Sequence, residues 1–148
     1  LARRPGMAHQ VAQLHAVDHL LRFKTRLDDL LRAGIDLTSP VYAWALWHNE
    51  RILDLARRGL AEHRLEDVVS ELEVQAMGLT ELSRQMRHEL LGGTAMQSTR
   101  AADVLAKADA YRWLERTGHH IWRISHYLTQ GRPAGAADPP AQGPEGDR

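Results

Sequence analysis

The chain has 148 residues, enough for one ordinary domain built around one hydrophobic core. Its 19 basic and 19 acidic side chains leave a formal net charge of zero, which argues against the basic excess expected of a nucleic-acid binder. There is no cysteine, so disulfides, thiolate catalysis and thiolate zinc sites are removed together, as suits a reducing cytosol.

No apolar run approaches the roughly 20 residues needed to cross a bilayer. The longest, "VYAWALW", stops at His48. No signal peptide is visible at the start. The chain opens on Leu1 rather than Met, so it is expected to be the C-terminal part of a longer protein.

Helical periodicity dominates from end to end, and strand-like alternation is almost absent. The first predicted helix runs from about Met7 to Arg32. Leu20, Phe23, Leu27, Leu30 and Leu31 recur at three- and four-residue steps, as one helix face requires. Gly34 stands where a C-terminal cap belongs.

The second predicted helix has the clearest start. Ser39 can accept a backbone hydrogen bond as N-cap, and Pro40 fits the first turn, where its missing N–H is not needed. Val41, Trp44, Ala45, His48, Ile52, Leu55 and Ala56 share a face, and Gly59 is expected to end or bend the helix. The third runs from about Leu65 to Leu91. Its stripe of Leu65, Val68, Val69, Leu72, Ala76, Leu79, Met86 and Leu90 is close to a heptad. Gly92 and Gly93 terminate it. The fourth begins near Ser98 or Thr99, has Asp103 near the positive end of its dipole, and continues to about Gln130.

Beyond it, "GRPAGAADPPAQGPEGDR" lacks the large apolar side chains that would offset the entropy of ordering, so residues 131–148 are expected to be a disordered tail. Residues 1–130 then form one domain: four long helices with short connections, an all-α antiparallel bundle. "HLLRFKTRLDDLL" on the first helix can also be laid over "WLERTGHHIWRIS" on the fourth. If this is a duplication, a three-helix unit is used twice and its first copy enters this chain only at its last helix.

The polar residues concentrate in "YRWLERTGHHIWRISHYL", Tyr111 to Leu128. Glu115 and His119 are four apart and stack on one helix face. With Asp67 and Glu71, also four apart on the third helix, they could ligate a divalent metal. The alternative is a polar edge with Glu115 paired to Arg112 or Arg116. His15 and His19 form an HxxxH pair, but Ala16 replaces the glutamate of the zinc-protease pattern, so they read as surface or interface histidines. His48 sits on an apolar face and reads as a core histidine bonded to a neighbour. Trp113 and Trp122 lie nine positions apart, half a turn out of phase, so they cannot both face one core. With Arg123 they are the candidate interaction residues.

"LERTGHHIWRI", Leu114 to Ile124, resembles the "LERIGDH" helix of PhoU-like proteins, helical regulators of bacterial phosphate uptake. It is more similar still to the cytoplasmic PhoU-like domain attached to sodium/phosphate cotransporters. Leu114, Glu115, Arg116, Gly118, His120 and Ile124 carry the likeness. The resemblance implies metal clusters held by ExxxD pairs. Here the glutamate falls on Glu115 and the aspartate place holds His119, while the corresponding places on the first helix hold Leu21 and Thr25. One site, from Glu115 and His119 with Asp67 or Glu71, is retained on this pattern and the other is lost.

The resemblance further implies a non-enzymatic regulatory domain for sodium-dependent phosphate transport. It would lie at the cytoplasmic face of the membrane and contact a transporter membrane domain or a second copy of itself. No cofactor is expected, a divalent metal being the alternative. Two other readings stand beside it: a metal-binding bundle of the ferritin or hemerythrin sort, and a plain dimerisation bundle. For the former, Glu115 has its histidine at the fourth position rather than the third, and Gln85 with His88 puts an amide where a carboxylate is wanted.

Overall fold

The computed structural model describes residues 5–92 and 101–130. The expected tail and the expected start of the last helix at Ser98 or Thr99 lie outside the described residues. Within them the chain forms four α-helices and no strand: α1 (Pro5–Arg32), α2 (Ala43–Ala61), α3 (Leu65–Gly92) and α4 (Ala101–Thr129). A 3-10 turn, Pro40–Tyr42, leads into α2.

The helix ends have local causes. After α1, Gly34 takes the left-handed conformation with φ +63°, and its N–H donates to Leu31 O at 3.3 Å. Asp36 then tightens the connection by accepting from Thr38 N–H at 3.0 Å. Ser39 does not cap with its side chain. Pro40 holds it extended (ψ 132°), and the Ser39 carbonyl accepts from Tyr42 N–H at 3.1 Å. The chain therefore enters through a 3-10 turn, and α2 proper starts only at Ala43.

Gly59 does not end α2, which runs on to Ala61. It lets α3 approach: a Cβ there would lie 2.6 Å from Val68 Cγ2 and 3.3 Å from Leu65 Cα. The helix stops at Ala61, and two residues further on His63 takes φ 53°. Arg64 N–H donates to Gly59 O at 2.8 Å and His63 N–H to Leu60 O at 3.3 Å, the paired bonds of a Schellman cap.

The core lies between α2, α3 and α4. Ala45, Ile52 and Ala56 meet Leu72, Ala76 and Leu79, and both sets meet Ala110, Tyr111, Leu114, Ile121 and Trp122. The predicted stripes of α2 and α3 supply these contacts. Helix α4 is the hub and packs against each of the other three. Its cross-helix contacts with α3 run in reverse order (Ser83 with Tyr111, Leu79 with Gly118), so that pair is antiparallel. With α2 they run in step: Val41 with Tyr111, Asn49 with Leu114, Ile52 with Gly118. These two helices are parallel, so the bundle is not antiparallel at every interface.

Helix α1 lies outside this three-helix core and packs antiparallel on α4. Its inner face is Ala12, Ala16 and Leu30, with Phe23 half-buried. The alanines allow close approach. Leu20 and Leu31, expected to face inward, are 53% and 78% exposed. A helix with a single neighbour buries only a narrow strip, and these two lie beside it rather than in it.

Candidate functional site

Two polar seams cross the apolar interior, and both involve α4. The first lies between α3 and α4. Arg87 Nη2 donates to Glu115 Oε2 at 3.3 Å, and both side chains are largely covered, at 22% and 17% exposure. One turn away, the fully buried Ser83 hydroxyl donates to Tyr111 O at 3.1 Å. On the α2 side, Asn49 Nδ2 donates both to Ala45 O and to Leu114 O at 2.9 Å, tying α2 to the middle of α4. Tyr111, completely buried, sends its hydroxyl to Val41 O at 3.1 Å. These bonds satisfy groups that would otherwise be costly to bury.

The second seam lies between α1 and α4 and is built from rings. His19 Nδ1 and His120 Nδ1 share one hydrogen bond at 3.1 Å, so one ring nitrogen carries the proton and the other accepts it. His15 stacks on Tyr127 at 4.8 Å, and His19 stacks on the same tyrosine at 5.6 Å. His119 meets the edge of Trp122 at 5.5 Å. His120 is buried, and its pKa is lowered to about 4. Burial is the first cause; the nearby His19, His119, Arg26 and Arg22 add to it. Burial and cationic neighbours lower His19 as well, partly opposed by Asp18. His119 is lowered by burial, then by Arg123, His19 and Arg116. His19, His119 and His120 are thus favoured in the neutral form.

The residues singled out by sequence do not converge. Glu115 is held by Arg87 from α3 rather than by Arg112 or Arg116, because its position faces the α3 interface. His119 belongs to the ring seam. Asp67 binds Arg64 at 2.6 Å at the start of α3, and Glu71 accepts from Gln75. Among the described residues, no three His, Asp or Glu side chains come together so as to hold a metal ion. Glu115, His119, Asp67 and Glu71 therefore do not assemble the metal site that their spacing suggested.

Trp122 is buried in the core with Arg123 stacked over its ring at 4.6 Å, while Trp113 is half-buried. Half a turn does separate their environments. His48 is half-buried, but its Nδ1 has no hydrogen-bond partner among the described residues. His15 is exposed, as its surface reading required, whereas His19 is half-buried and bonded.

Sequence reasoning missed Arg87, Asn49 and Ser83 as cross-helix partners, and His120 as a buried ring. It also missed a feature of α1. Met7, Val11, Leu14, Val17 and Leu21 are all about half exposed or more. Seven-residue spacing of Met7, Leu14 and Leu21 was the available signal. A groove of about 370 Å³ borders this face, lined by Met7, Val11, His15 and Tyr127 among others. No helix of the described residues is long and apolar enough to cross a membrane. The chain matches no protein-family model, no curated protein and no solved structure.

Proposed function

We propose that this chain is a non-enzymatic helical interaction domain of PhoU-like kind. It regulates sodium-dependent phosphate transport from the cytoplasmic face of the membrane. The observation that carries the contact role is the doubly apolar α1, which buries one face on α4 and leaves a second apolar face uncovered. Contiguous exposed apolar patches of this size mark interaction sites. The polar groups of the "LERTGHH" segment also support the reading. Glu115 is engaged by Arg87 and His120 by His19, so both serve to hold helices together. The link to phosphate transport rests on the resemblance of Leu114 to Ile124.

The test is sodium-dependent phosphate uptake in cells expressing the intact gene with Leu14→Glu. A changed uptake rate at unchanged protein level is expected. Unchanged uptake with this variant and with deletion of residues 5–130 removes the regulatory reading.

A further inference from the structure

The outer face of α1 also indicates what covers it. At about 100° per residue, Leu14 lies roughly 160° around the helix from the buried Ala16, directly away from α4. Met7, Val11, Val17 and Leu21 flank it, and the five side chains are between 47% and 69% exposed. Together they present about 500 Å² of apolar surface, close to the largest patch a typical monomer leaves bare. Two such faces pressed together would remove at most about 1,000 Å², so flanking contacts on both sides of the stripe are needed to clear the floor for a specific protein interface.

The border of the stripe decides between occupants. Asp18 pairs with Arg22 at 3.0 Å beside the stripe, and Lys24 with Asp28 at 2.9 Å just past its end, so the nearby charges are mixed and already matched on the helix itself. Among the described residues that border offers no cationic belt to an anionic lipid surface and no single-sign field to a highly charged partner. The chain's own residues 131–148 contain no Val, Ile, Leu, Met or aromatic side chain to fill the stripe. A face with the same apolar spacing and the same neutral border fits it best, and α1 of another molecule is such a face.

Resting on the contact role assigned above, we propose that two copies of this chain associate through the outer faces of α1, packed antiparallel about a two-fold axis at Leu14. In this register Met7 of each copy meets Leu21 of the other and Leu14 meets itself, as a self-complementary interface requires, while Val11 and Val17 flank the seam on opposite sides. The charged C-terminal third of α1 projects beyond the seam.

The absence of cysteine makes the test direct. Sedimentation of the full chain from about 1 to about 100 μM should show a concentration-dependent shift from monomer to dimer. Leu14→Glu should weaken the association at least 100-fold while leaving helical circular dichroism unchanged, because Leu14 is exposed in the monomer. Leu14→Cys should form an intermolecular disulfide under air oxidation, and Leu53→Cys, on the exposed side of α2, should not. A wild-type chain that stays monomeric at the highest concentration, with no selective Leu14→Cys cross-link, overturns the proposal. So does a monomer whose stripe instead binds phosphatidylglycerol vesicles. Either result leaves the uptake assay free to succeed, whereas dimerisation with unaltered uptake sinks the regulatory reading alone.

Discussion

Acid should loosen the grip of α4 on α1, and the size of the effect follows from one ring. In the folded chain His120 is buried against His19, with Arg22 and Arg26 nearby, and its pKa is lowered from 6.5 to about 4. In the unfolded chain it titrates near the ordinary value of about 6.5. Between those two values the unfolded state binds a proton that the native state refuses, so stability must fall as pH falls through this window. At pH 4.5 the loss from this single group is about 2–3 kcal/mol, a substantial share of a domain's total. His19 and His119, lowered by the same causes, act in the same direction. Urea unfolding followed by circular dichroism between pH 7.5 and 4.5 measures the loss. His120→Asn isolates the ring's share: its amide can still bond His19 but cannot titrate. The variant's stability should fall by about 2 kcal/mol less than wild type over the same range. The variant's stability at pH 7 is immaterial, since only the slopes are compared. Parallel slopes, or a His120 resonance titrating near pH 6.5, would refute the reasoning.

Packing around α4 makes two further expectations. A Cβ on Gly118 would sit 2.9 Å from Leu79 Cδ2 and 3.0 Å from Ile52 Cδ1, both on side chains with no exposed surface into which to retreat. Gly118→Ala should therefore cost about 1–2 kcal/mol net, the overpacking outweighing the gain in helix propensity. Gly78, with nothing within 4 Å on the exposed side of α3, is the control, and Gly78→Ala should stabilise by about 0.5–1 kcal/mol in thermal unfolding. Breaking the covered ion pair with Glu115→Gln should cost about 1–2 kcal/mol by denaturant titration and resist added salt. Glu81→Gln, which removes the exposed partner of Arg84, should change stability by less than about 0.5 kcal/mol.

How much of this was legible beforehand varies by element. The α3 stripe from Leu65 to Leu90 faces the core as its spacing predicts, because a helix with neighbours along its length packs one whole face, Leu72, Ala76 and Leu79 fully and Val68, Val69, Met86 and Leu90 in part. The same logic applied to α1 chose Leu20 and Leu31 and missed Ala12 and Ala16. There the short side chains set the interface, since alanine permits an approach that leucine forbids. Hydrophobicity alone also cannot tell which of two apolar stripes meets the bundle. Gly59 was legible as special but not for its reason. A break and a close approach call for the same residue, and only the position of Val68 distinguishes them. The metal reading of Glu115 and His119 followed from a spacing that places two side chains on one helix face. Whether facing helices bring further ligands is a three-dimensional question, and α3 brings Arg87 instead.

The order of apolar residues, the glycines and prolines between them and the absence of strand-like alternation were enough to establish a helical bundle and to place its helices within a few residues. Local hydrogen bonding and a 3.6-residue period act within a dozen positions of chain, so they are written in the sequence. The partners of Glu115 and His120, the parallel run of α2 beside α4 and the uncovered side of α1 depend on residues tens of positions apart meeting in space. Those were decided only when the helices packed, because close packing selects among faces that the linear pattern leaves equivalent.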